Sequence, residues 1–255
     1  MSQPKNTSWQ KVSKWYSQSV GSSGHYYHQH VVIPNSLRLL NLKSDSSLLD
    51  IACGEGVLGR AVSSNLEYSG FDIAPSLIKF AKDKDRSPKH HYAIADVQKT
   101  LPLGKTDFSH AAILLALQNI EHPDLVIGNA ARYLSKNGQL LLVINHPMFR
   151  IPRQTSWGID PGNKLQYRRV NRYLSALKIP INAQPSRGET SPVTWSFHHP
   201  LQDYVKYLKE AGFVITNLEE WVSDKASEGR AAKMENLSRS EFPLFMALLA
   251  QKQSI

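Results

Sequence analysis

From Ser46 onward, apolar and polar positions alternate in a regular rhythm. Short apolar runs predict strands over Ser47–Ala52, Tyr68–Asp72, His91–Ala95, Phe108–Leu114 and Gln139–Asn145. Segments of helical spacing separate them: Val57–Ser64, Pro75–Lys84 with proline at its first position, and Pro123–Ser135, which stops at Asn137-Gly138. Strands alternating with helices at this spacing imply a parallel sheet covered on both faces. Residues 8–42 have helical spacing in two pieces, broken near Gly21–Gly24 and disturbed by Pro34. Residues 148–198 lose the rhythm and are rich in Pro, Arg, Trp and Tyr. It returns with a helix over Pro200–Ala211 and strands over Phe213–Glu220 and Leu244–Gln251.

In such a sheet, ligands bind at the carboxyl ends of the strands. Those ends here carry Asp50–Gly56, Asp72, Asp96, Leu115–Asn119 and Asn145–Arg150. The most specific stretch is Asp50-Ile-Ala-Cys-Gly-Glu-Gly56-Val-Leu-Gly59, a strand end running through a glycine-rich turn into a helix start. Glycines allow close backbone approach, and the helix start offers free N–H groups. Gly54-x-Gly56-x-x-Gly59 satisfies the dinucleotide pattern literally. Asp50 and Glu55 argue against a pyrophosphate, which they would repel, and are tolerable beside an amine and a sulfonium. Asp72 suits ribose hydroxyls of either cofactor, and Asp96 suits an adenine amine.

Four ordered motifs (Asp50-Ile-Ala-Cys-Gly-Glu-Gly, Gly70-Phe-Asp-Ile-Ala-Pro-Ser, Ile94-Ala-Asp-Val and Leu115-Ala-Leu-Gln-Asn-Ile) resemble the motif set of class I S-adenosylmethionine-dependent methyltransferases. The resemblance is nearest to the small-molecule group called methyltransferase type 11 and lies within residues 47–145. The tail, with Trp195-Ser-Phe-His-His-Pro-Leu, Ala211-Gly-Phe and Phe242-Pro-Leu-Phe, is similar to that group's closing helix and strands. It implies a Rossmann-like seven-stranded, mostly parallel sheet with an antiparallel last strand. It also implies S-adenosyl-L-methionine as cofactor, and roles for named residues. Ala52, Cys53, Gly54 and Gly56 would surround the methionine part, with Asp50 on its amino group. Asp72 would take the ribose, Ile73 would pack on adenine, Asp96 and Val97 would read the adenine edge, and Leu115 and Gln118 would lie near the methionine tail. Gly59 would serve helix packing.

The expected organisation is an N-terminal helical cover (1–45), a methyltransferase core (46–147 and 199–255) and an inserted lid or substrate segment (148–198). Methyl transfer from a sulfonium is an in-line displacement that needs a general base only for some acceptors. His146, just after the fifth strand, is the candidate base; the plain alternative is a histidine bonded structurally in the turn before Pro147. His25, Tyr26, Tyr27 and His28 would cover the site, and His198 would face the substrate or start the next helix. No clustered acid or cysteine completes a metal site.

The formal charge of the 255 residues is +9. Between Met148 and Thr190 eight basic residues oppose two acids, a local excess of +6. Arginine forks suit carboxylate or phosphate. Arg150, Arg153, Trp157, Arg168 and Arg169 are therefore expected to line the pocket of a small or medium-sized acceptor with an acidic group. A basic balance also admits a nucleic-acid methyltransferase, but the Asn/Asp-Pro-Pro-aromatic signature is missing after the fourth strand. A non-catalytic S-adenosylmethionine binder remains a rival that the sequence leaves open, and oligomeric state is unreadable. Cys53 is the sole cysteine, the N-terminus lacks the apolar core of a signal peptide, and no apolar run spans a bilayer. A cytoplasmic protein without membrane contact is the expectation.

Overall fold

A computed structural model describes residues 25–182, 191 and 193–253 of the chain. Seven strands form one sheet in the order β10-β11-β5-β4-β1-β2-β3. They are β1 (Ser47–Ile51), β2 (Glu67–Asp72), β3 (His90–Ile94), β4 (Phe108–Leu114), β5 (Leu134–Asn145), β10 (Phe213–Trp221) and β11 (Phe245–Lys252). The pairs among β1–β5 are parallel, while β11 runs antiparallel to both neighbours, β5 and β10. The chain thus has the expected Rossmann-like sheet, and the antiparallel strand is the last in sequence.

Period-2 alternation sends each strand's side chains to two separate cores. Leu49, Ile113, Leu142 and Met246 pack on one face, under α4 (Pro123–Tyr133) and α5 (Leu201–Glu210). Leu48, Ala112, Leu141 and Ala247 pack on the other, under α1 (Ile33–Leu40), α2 (Val57–Ala61) and α3 (Pro75–Lys84). Burial on both faces explains the near-continuous apolar runs of β4 and β5. Proline opens α3 and α4, where the missing N–H costs nothing. Pro34 does not break the first described helix. It stands in the first turn of α1, which continues from a π-helical turn at His28–Val32. The earlier helical piece expected before Gly21 lies outside the described residues.

Residues 148–198, read as aperiodic, hold two antiparallel hairpins. β6 (Thr155–Asp160) pairs β7 (Leu165–Val170), and β8 (Leu177–Asn182) pairs β9 (Val193–His198). A further helix that the sequence reading did not pick out, α6 (Ala232–Glu241), lies between β10 and β11 and packs against β7.

Candidate functional site

A cavity of about 440 Å³ opens at the carboxyl ends of β1–β5. Its wall includes Asp50, Asp72 and Asp96, the acids that follow from the ends of three strands, together with Ala52, Cys53, Gly54 and Glu55 of the glycine turn. Ile73, Val97, Leu115 and Gln118 complete the set. Of the eleven cofactor positions expected from sequence, only Gly56 stands off the wall, and it has a structural task. Its φ is +70°, and a Cβ there would meet the Tyr92 ring at 2.8 Å. Gly59 also serves packing, because a Cβ would run into the Tyr92 hydroxyl and the Tyr68 ring. Tyr92 is wedged beneath the turn, and only glycines let helix α2 sit so close to it.

The turn is tied to β2 through Asp72. Its carboxylate accepts from the Gly54 N–H at 3.0 Å and the Ala74 N–H at 2.8 Å. Burial raises its pKa, while those N–H groups pull it back down. Asp50 is nearly inaccessible and accepts a 2.6 Å hydrogen bond from Tyr68. Burial pushes its pKa up to about 7, against the opposing Tyr68 bond and with the Asp72 charge adding to the rise. A carboxylate so poised gains most from a cationic partner such as an amine. Burial and the charges of Asp50 and Asp72 push the Cys53 thiol well up, which disfavours its thiolate. Ile73 is 48% exposed and presents an apolar surface on the cavity wall.

Two non-glycine residues here adopt left-handed backbone: Ala52 at φ 60° and Leu115 at φ 52°. They end the neighbouring strands β1 and β4. Each costs on the order of 1–2 kcal/mol and must be held in place. Leu115 is held by its N–H to Val143 at 2.7 Å and by its carbonyl, which accepts from the amides of Gln118 and Asn119. Such a peptide geometry is invisible in sequence. Buried atoms without a hydrogen-bond partner on the wall include His28 Nδ1, Gln118 Oε1 and Thr194 Oγ1. Unmet polar atoms around an acid-rimmed cavity fit a polar ligand.

The remaining expected residues scatter. His146 is not on the wall. Its Nδ1 accepts from the N–H groups of Met148 (3.2 Å) and Phe149 (3.3 Å), so Nε2 carries the proton and donates it to Glu220 at 2.6 Å. Burial lowers its pKa against the pull of Glu220. This is the turn-capping arrangement, with both nitrogens occupied. Of the N-terminal cluster, His28 alone reaches the cavity, and its pKa is lowered to about 4 by burial, with His25 adding to the shift. Tyr26 donates to Asp224 at 3.0 Å and Tyr27 bonds Ser223 at 3.1 Å, while His25 packs near Tyr27. These two tyrosines clamp the N-terminal segment onto the loop after β10.

The expected arginine pocket is not assembled around the cavity. Arg150 lies over the Phe245 ring at 5.6 Å, and Arg168 donates to the Phe149 carbonyl and the Thr155 hydroxyl. Arg168 also covers the Trp157 ring, which packs edge-on against Phe242. Arg153 and Arg169 are exposed. His198 bonds the Tyr173 carbonyl at 2.7 Å and is buried away from the wall. In their place the β8–β9 hairpin supplies Ile181, Thr194, Trp195 and Ser196. Sequence reasoning read Trp195 only as part of a tail pattern. The alternation Thr194-Trp195-Ser196-Phe197 was the available signal for a strand.

Residues 49–142 match the family model described as a methyltransferase domain. A ubiquinone/menaquinone biosynthesis C-methyltransferase from Bordetella avium is 29% identical over 109 residues, which cover 40% of this chain and 42% of that protein. The chain therefore spans less than half the length of this curated relative. A crystal structure of an S-adenosylmethionine-dependent methyltransferase from Mesorhizobium loti superposes with a TM-score of 0.65 at 21% identity, covering 86% of this chain and 96% of that one. One from Clostridium acetobutylicum gives 0.61 at 17% identity, over 96% and 99%. Residues 49–142 are thus similar to a methyltransferase domain, and the chain shares the fold of these two solved structures. Among the described residues no helix is long and apolar enough to cross a membrane, and no group of three metal-ligating side chains occurs.

Proposed function

We propose that the whole chain is an enzyme that transfers the methyl group of S-adenosyl-L-methionine to a small or medium-sized acceptor. The convergence of Asp50, Asp72 and Asp96 from three adjacent strands onto one cavity beside the glycine turn carries this reading. Asp72, already oriented by two backbone N–H groups, receives the ribose hydroxyls. Asp50 receives the amino group, directly or through water. Ile73 covers adenine, with Asp96 and Val97 at its edge. Ala52, Cys53, Gly54, Leu115 and Gln118 surround the methionine portion, and Gly56 keeps the turn in shape.

When bound, the cofactor supplies an already activated methyl group. The chain's own contribution is alignment and exclusion of water. On this reading 46–147 and 199–255 belong to the core, and the described parts of 1–45 and 148–198 to a cover over its ligand end. Within that cover β8–β9 supplies wall residues, while β6–β7 packs against α6. The basic excess of 148–190 is read as a solvated and structural surface, which weakens the nucleic-acid alternative. Its place is the cytoplasm.

Thermal-shift titration with S-adenosylmethionine, S-adenosylhomocysteine and NAD tests the reading. Ligand at 100 times Kd stabilises by about 2.7 kcal/mol. The two sulfur compounds are expected to raise Tm and NAD to leave it unchanged. Stabilisation by NAD alone contradicts the proposal.

A further inference from the structure

The acceptor side of the cavity has a chemical character of its own. Away from the acidic strand ends, the wall includes Trp195, Ile181, Pro152 and Ile33, with Thr194, Ser196, Asn145 and His28 among its uncharged polar groups. No lysine or arginine among the described residues lines it. Cations around it are engaged: Lys99 pairs with the wall carboxylate of Asp96 at 3.2 Å. Lys178 lies over the Trp195 ring at 5.4 Å and is bonded to Glu121 at 2.8 Å. Arg150 and Arg168 are held by rings, a carbonyl and a hydroxyl, as described above. A carboxylate or phosphate placed here would lose water and meet no lysine or arginine among the described lining residues. Ring stacking and neutral hydrogen bonds are what the wall offers. His28 is held neutral by burial and carries a buried Nδ1 without a partner, as does Thr194 at Oγ1.

Resting on the methyl-transfer reading, we propose that the acceptor is an uncharged aromatic ring bearing a hydroxyl group, seated against Trp195 and Ile181 with its hydroxyl bonded to His28. This reverses the acidic acceptor expected from the arginines of the sequence. The hydroxyl oxygen forms a bond to the methyl carbon as the carbon–sulfur bond breaks. His28 accepts the hydroxyl's hydrogen bond and holds the oxygen in line, the proton is released to solvent as the ether forms, and the sulfonium leaves as a neutral thioether. His28 is then a catalytic residue in the strict sense, touching the reacting group.

Calorimetric titration of the full chain tests this with three probes: 2-naphthol, 2-naphthoate and 2-methoxynaphthalene. S-adenosylhomocysteine is titrated first. Failure of that step overturns the methyl-transfer reading itself. With it bound, naphthol is expected to bind at least ten-fold more tightly than naphthoate, and Trp195→Ala to weaken naphthol about ten-fold while Trp195→Phe retains most of the affinity. Both variants are expected to keep the affinity for S-adenosylhomocysteine, which certifies their fold. His28→Phe is expected to abolish the preference for naphthol over its methyl ether. Naphthoate binding as tightly as naphthol, no aromatic binding at all, or a preference that survives His28→Phe would overturn the inference while leaving the methyl-transfer reading in place.

Discussion

Hairpins β6–β7 and β8–β9 are built from strands of six residues each and follow one another in the same basic segment, yet they serve the molecule differently. Along β6 and β7 intermediate and exposed positions alternate, and Ile159, Leu165 and Tyr167 stand about half exposed. β9 is mostly buried, packs on the 3-10 turn Leu117–Asn119 after β4, and brings Trp195 to the cavity. The arginines that gave the segment its charge belong mainly to the outer hairpin and its approaches, where Arg168 joins the strands to Trp157 and the preceding turn. The inner hairpin has aromatics and small polar groups. Net charge of a segment therefore misleads about a ligand when the charge and the cavity lie on different elements.

That division can be broken experimentally. The largest effect is expected at Trp195→Ala, with acceptor kcat/KM about 30-fold lower and cofactor affinity unchanged. Tyr167→Ala, on the outer hairpin, is expected to leave both alone, and an equal loss there would erase the distinction. Next is Asp50→Asn. The folded pKa of Asp50 lies above its ordinary value, so the folded state holds the proton more tightly than the unfolded state. Ionisation thus opposes folding. The penalty is absent below the ordinary carboxylate range, grows as pH rises toward about 7, and is complete above it. Removing the charge is expected to stabilise the free protein at pH 8 by on the order of 2 kcal/mol, and not at pH 4, while weakening cofactor binding. Denaturant melts at the two pH values read this directly.

Trp157→Ala is expected to cost about 1–2 kcal/mol by removing the ring between Arg168 and Phe242, with acceptor KM unchanged. Arg153→Ala and Arg169→Ala are expected to stay within about 0.5 kcal/mol in stability and to leave KM alone. A raised KM in either would return the outer arginines to the site.

The sheet was legible because each strand carries its own signal. β4 and α3 fall where the apolar run and the N1 proline put them, and Asp50, Asp72 and Asp96 are marked by their place at strand ends. Gly59 was legible as a packing residue because a literal dinucleotide pattern made no sense beside Glu55. His146 was visible as a residue before Pro147. Its environment depends on Glu220, 74 positions away, which no local pattern could pair with it. The same holds for Tyr26 and Tyr27, whose partners lie nearly two hundred residues downstream. In 148–198 neither face of β6 or β7 is buried, which weakens the apolar–polar alternation that marks a strand.

The most direct measurement is calorimetric titration of S-adenosylhomocysteine into the protein and into Asp72→Ala. Loss of two charge-assisted hydrogen bonds is expected to weaken binding about 100-fold or more. Wild-type protein that does not bind, or a variant that binds equally well, would contradict the placement of the cofactor at the β1–β2 turn.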